Sequence, residues 1–77
     1  PDMIILKPNG EYHGLILELK SEDSSPYLKD GSLSKGQHIQ EQNQTLTALL
    51  NIGYYAVFIV GFNQAKEVID NYMANKL

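Results

Sequence analysis

The run Tyr54-Tyr55-Ala56-Val57-Phe58-Ile59-Val60, with Gly53 before it and Gly61 after it, limits what this chain can fold into more than any other feature. It is aromatic and β-branched, of strand length, and shows no alternation of apolar with polar residues, the pattern of a strand covered on both faces. The run therefore predicts a strand inside a sheet, with a helix packed on each side. The segments on either side supply the helices. From Gln37 onward, Ile39, Leu46, Leu49 and Leu50 fall on one helical stripe that stops at Asn51-Ile52-Gly53, where Gly53 suits a left-handed cap, so a helix is expected over roughly 35–51. After the strand, Asn63 is the expected N-cap of a last helix, whose Ala65, Val68, Ile69, Tyr72 and Met73 recur at the spacing of one apolar face.

The first part of the chain carries the other signal. Met3-Ile4-Ile5-Leu6, then Lys7-Pro8-Asn9-Gly10-Glu11, then Tyr12 to Lys20 reads as two antiparallel strands. Asn9-Gly10 supplies the positive φ angles of a two-residue turn. Side chains alternate along the second strand, so Leu15, Leu17 and Leu19 share one side while Ile16, Glu18 and Lys20 share the other. Residues 21–36 are rich in Ser, Asp, Gly and Lys, and their composition predicts a mobile loop. The order strand, strand, helix, strand, helix contains one crossover between parallel strands, which is right-handed by rule. The fold class is α/β: a small mixed β-sheet flanked by helices, in a single domain spanning 1–77.

A chain of 77 residues buries a modest core, and pairing with a second copy is a common way to enlarge one, so a homodimer is expected. It has no cysteine, which excludes disulfides and thiolate metal sites. No apolar stretch approaches the roughly 18 residues of a membrane span, and no leader-like segment is present, so the expected location is the cytoplasm. The net charge of −3, with six lysines and no arginine, leaves no basic stripe for nucleic acid.

The hairpin gives the acidic residues their meaning. Asp2 enters the first strand and Glu18 lies near the end of the second, so antiparallel pairing brings both to the same end of the sheet. Two converging carboxylates repel each other unless a cation lies between them, and an oxygen-rich site of this kind suits Mg²⁺ or Mn²⁺. Lys20, on the face of Glu18, could align a water or stabilise charge on a phosphoryl oxygen. Such a group of residues is suited to phosphodiester hydrolysis.

Pro1-Asp2 before an apolar strand, followed by Glu18-Leu19-Lys20 at the end of the next, resembles the PD-(D/E)XK nuclease signature. The order of Gly14 to Lys20, a polar loop, Leu33-Ser34-Lys35-Gly36-Gln37, a helix leading into Asn51-Ile52-Gly53-Tyr54-Tyr55, and a closing helix is similar to the VRR-NUC branch, and the likeness covers nearly the whole chain. The resemblance implies a restriction-endonuclease-like core and a divalent-metal-dependent DNA endonuclease. Asp2 and Glu18 would be the metal ligands, Leu19 would lend its backbone carbonyl, and Lys20 would stand near the scissile phosphate. It also implies a glutamine on the following helix. The family's wording points to Gln37 and its spacing to Gln42; helical phase favours Gln42, which falls in the stripe of Ile39, Leu46 and Leu49. Small members of the branch, many of them from phages, resemble homodimers that cut branched DNA such as four-way junctions, which would place this chain in a host cytoplasm. The family's opening helix, with a further acidic residue, is missing from this chain.

Plainer readings stand beside these. Glu18 and Lys20 can be a solvated strand edge, His38 a surface residue one turn before Gln42, His13 a half-exposed strand residue, and Tyr54 and Tyr55 core aromatics with polar tips. A nuclease-like fold kept as a DNA-binding or protein-interaction module without catalysis is the alternative function.

Overall fold

The computed structural model describes residues 1–76. Strand β1 (Met3–Ile5) pairs antiparallel with β2 (Leu15–Lys20), and β2 pairs parallel with β3 (Tyr55–Val60), in the order β1-β2-β3. Helix α1 (Gln37–Asn51) connects β2 to β3, and α2 (Phe62–Met73) follows β3. The chain is thus a small mixed α/β structure. Among the described residues no helix is long and apolar enough to cross a membrane.

β2 is the centre of the packing, and its alternation divides the core in two. Leu15 and Leu17 point to one face, where they meet Ile59 and the fully buried Tyr72 of α2. Ile16 points to the other, with Leu46 of α1, Ala56 and Phe58. A Leu17→Ala change in such a place costs about 2–5 kcal/mol, a large share of the 5–15 kcal/mol that holds a small domain together. β3 is covered on both faces, as its apolar run predicts, yet it forms an edge of the sheet and does not lie inside it. A continuous apolar run reports burial of the two faces, and it carries no information about hydrogen-bonding neighbours.

The hairpin turn is displaced by one residue from its expected place. Asn9 and Tyr12 exchange backbone hydrogen bonds of 3.0 and 2.8 Å, so Gly10 and Glu11 are the central pair, with Gly10 at φ +37°. The Asn9 side chain is engaged elsewhere. Its Nδ2 donates to the Tyr72 carbonyl at 3.2 Å, while the Tyr72 hydroxyl donates to the Lys7 carbonyl at 2.9 Å. The end of α2 thereby fastens the connection between β1 and β2.

Helix α1 ends as predicted. Gly53, at φ +98°, donates to the Leu50 carbonyl, and Tyr54 N–H reaches back to that of Leu49, so the last orphan carbonyls are satisfied and the chain turns into β3. A Cβ at Gly53 would come within 2.6 Å of the His13 ring. Leu50 and Met73, expected on the buried stripes, are instead 45% and 43% exposed at the margins of their helices. Helix α2 begins before Asn63, at Phe62, because Gly61 at φ +85° turns the chain directly after Val60. Gln64 reaches back from the first turn to accept the N–H of Val60, the residue before the cap, at 2.6 Å, while the Gly61 N–H itself donates to the Lys20 carbonyl.

Residues 21–36, read from composition as an unstructured loop, carry local structure of their own. A 3-10 turn (Glu22–Ser24) is followed by a bridge between Tyr27 and Leu33, a 2.7 Å bond from Ser34 N–H to the Pro26 carbonyl, and a buried Pro26. Leu33 packs against the Ile16 and Leu46 cluster. The average composition of the loop concealed three well-placed apolar residues: Pro26, Tyr27 and Leu33.

Candidate functional site

The register fixes the site. Met3 stands opposite Leu17, so the next position outward places Asp2 across from Glu18 at one end of the sheet, with Leu19 and Lys20 extending beyond. Asp2 continues the ladder by two bonds: its N–H donates to the Leu17 carbonyl at 3.0 Å, and its Oδ2 accepts the Leu19 N–H at 2.7 Å. The carboxylate does there what a strand carbonyl would otherwise do. It also orients the Leu19 peptide, whose carbonyl is one of the oxygens expected at the site.

Glu18 is 6% exposed, although it follows Leu17 at the end of a strand. Burying an ionised carboxylate costs several kcal/mol unless opposite charge and hydrogen bonds offset it. Two groups do so. The amino-terminal nitrogen of Pro1 lies 3.0 Å from Oε1, and Gln42 Nε2 donates to Oε2 at 3.0 Å. A carboxylate can only accept, so it dictates which way the Gln42 amide faces and leaves Gln42 Oε1 buried with no donor.

Of the two glutamines that the sequence leaves open, Gln42 touches Glu18, whereas Gln37 donates to Glu41 Oε1 at 3.1 Å on the exposed side of α1. His38 is exposed. Lys20 is half-buried, next to Val60 in the register; alternation gives it the face of Glu18, and its carbonyl accepts the Gly61 N–H at 2.9 Å. Beyond it, a cleft lined by Leu19, Lys20, Gly61, Phe62 and Ala65 opens between the end of β2 and the start of α2.

Sequence reasoning did not identify the aromatic pair beside Glu18. Phe58 is the register partner of Glu18 in β3, and the Tyr27 ring stands T-shaped to that of Phe58 at 6.4 Å between centroids. The signal available was an aromatic residue in a polar loop, directly after proline.

Whether a divalent ion suits these residues can be judged from what they already hold. Glu18 is buried with one oxygen held by Gln42, and Gln42 Oε1 is an acceptor with nothing to accept. Among the described residues no group of three His, Cys, Asp or Glu side chains converges on one point. Asp2 and Glu18 with the Leu19 carbonyl form a sparse oxygen set, which suits an ion such as Mg²⁺ that keeps several of its waters. None of the known families, curated proteins and solved structures compared with this chain matches it.

Proposed function

We propose that the chain is the core of a divalent-metal-dependent DNA endonuclease with a restriction-endonuclease-like, VRR-NUC-type arrangement, acting in the cytoplasm as a homodimer on branched DNA such as four-way junctions. The observation that carries this reading is the buried Glu18, held by the amide of Gln42, with Asp2 across the hairpin. A carboxylate placed for packing alone would not be buried where an apolar residue fits.

In this reading Asp2, Glu18 and the Leu19 carbonyl would hold Mg²⁺ or Mn²⁺, which would supply water activation and neutralisation of phosphate charge. Gln42 restrains Glu18 by donating to Oε2, which would leave Oε1 as the oxygen available to an ion. Asp2 fixes the Leu19 peptide through the 2.7 Å bond from its N–H. Lys20 presents its ammonium to the phosphoryl oxygens as negative charge grows there.

The test is Mg²⁺-dependent cleavage of an end-labelled four-way junction and of its linear duplex arms. Glu18→Gln, which keeps the shape of the side chain, and Lys20→Ala should each abolish cutting while circular dichroism stays unchanged. Undiminished cutting by either variant removes the proposed site. A second reading, a binding module without catalysis, is favoured by one contact: Asp2 Oδ2 is already engaged as a backbone substitute. Calorimetric titration with Mn²⁺ separates the two, because a binding module has no need to hold the ion.

A further inference from the structure

Tyr27 is 46% exposed, yet its backbone is tied down and its ring stands against Phe58. The bridge to Leu33, the bond from Ser34 to the Pro26 carbonyl and a 2.7 Å bond from Leu28 N–H to the Ser32 carbonyl fasten the loop on both sides of it. Its ring and that of Phe58 stand T-shaped, with the planes at 81°, and Phe58 is the neighbour of Glu18 across β2 and β3. A half-exposed aromatic therefore stands one side chain away from the buried carboxylate, on the same face of the sheet.

The charges around it narrow what could bind. Among the described residues, Lys20, Lys29 and Lys35 make no ion pair. The same stretch carries Glu22, Asp23 and Asp30. Asp30 is turned onto the Ser32 N–H and hydroxyl at 3.0 and 2.6 Å, and Glu22 lies against Gly61 on the other side of the strand end. Opposite charges thus balance over this stretch, and the whole chain is at −3, so electrostatic attraction alone cannot draw in a polyanion. Any nucleic acid held here needs a contact that does not depend on charge.

We infer that Tyr27 is a stacking platform for an unpaired nucleobase of the strand whose phosphate lies at Glu18 and Lys20, an inference that rests on the nuclease reading above. An aromatic face accepts any base, and a base within a duplex is already stacked on its neighbours, so the platform selects single-stranded segments and branch points over continuous duplex. Lys29 and Lys35 are left to touch the backbone at its margin. Recognition at this position depends on structure, not on base identity.

The experiment measures binding without cleavage, in EDTA, of a single-stranded oligonucleotide carrying 2-aminopurine, and of the same label at the branch point of a junction. Tyr27→Leu keeps an apolar contact on Phe58 and loses the aromatic face; Tyr27→Phe keeps both. The Leu variant should bind roughly 5- to 150-fold more weakly and lose the quenching of 2-aminopurine, while the Phe variant binds as the original chain does. Urea midpoints of all three proteins establish that each is folded. Equal binding by the Leu variant overturns the inference, as does a Phe variant as weak as the Leu variant, or a failure of the original chain to bind the labelled strand. If the chain binds in this Tyr27-dependent way but never cuts and takes up no Mn²⁺, the nuclease reading falls and the platform stands.

Discussion

Gln42→Met tests the site without touching a carboxylate. Methionine copies the length and shape of glutamine and lacks both amide atoms, so two opposing effects act at once. The bond from Nε2 to the Glu18 carboxylate is lost, and a hydrogen bond to a charged group contributes about 1.5–3 kcal/mol. At the same time the buried Oε1, which has no donor, disappears, and an orphaned acceptor costs about 1–3 kcal/mol. The two nearly cancel. Urea unfolding should therefore show a change within about 1 kcal/mol at unaltered slope, and in a domain of this size each kcal/mol moves Tm by about 4–8 °C. Glu18 meanwhile loses the donor that holds one of its oxygens, so Mg²⁺-dependent cleavage should fall by at least about tenfold, the effect of misplacing a group at a reacting centre. Destabilisation beyond about 3 kcal/mol would mean that relief at Oε1 does not offset the donor taken from the buried Glu18 Oε2. Unchanged cleavage would show that the amide plays no part at the site.

Two further changes probe the frame. Tyr72→Phe removes the 2.9 Å bond to the Lys7 carbonyl and should lower stability by about 1–2 kcal/mol in urea unfolding, loosening the hairpin connection from α2. Burial pushes the Tyr72 phenol above its ordinary 10.0, so the folded chain holds that proton more tightly than the unfolded one; the stability this represents is complete below pH 10.0 and is lost as pH rises through the folded value, a decline that the Phe variant should not show. The double change Glu18→Leu with Gln42→Met replaces a buried polar pair by apolar side chains beside Ile16 and Phe58 and should leave stability equal or raise it by about 1–4 kcal/mol, while ending cleavage.

Much of the fold was legible because short-range rules agree over most of the chain. The alternation of Leu15, Leu17 and Leu19 against Ile16, Glu18 and Lys20 foretold the division of the core between two helices, and Gly53 foretold the end of α1 from its conformational freedom alone. Helical phase also singled out Gln42, a residue inside an apolar stripe where no polar group belongs without a partner. What the sequence concealed depends on single contacts. The displacement of the turn to Gly10 and Glu11 follows from Asn9 having the end of α2 as its partner, a residue 63 positions away. The order in residues 21–36 comes from Pro26, Tyr27 and Leu33 settling onto a surface that the rest of the fold provides and that loop composition cannot describe. The start of α2 was readable in principle, since Gly61 with Gln64 three residues on is a start signal of its own, in competition with Asn63.

The cost of Glu18 gives the clearest link between stability and function. At the end of β2, with Ile16 and Phe58 on the same face, an apolar side chain would complete a cluster that is already packed. The carboxylate found there is desolvated, uses the amide of Gln42 and leaves an acceptor buried and unmatched, so folding gains little from any of the three. Such an arrangement is stable when a cation accompanies the carboxylate, and in this structure a cationic nitrogen does so at 3.0 Å. Acylated by a preceding residue, that proline nitrogen would have neither charge nor hydrogen, and Glu18 would require another cation in its place. The buried charge then favours whatever positive group can reach it, and on the nuclease reading proposed above a divalent ion shared with Asp2 would meet that need.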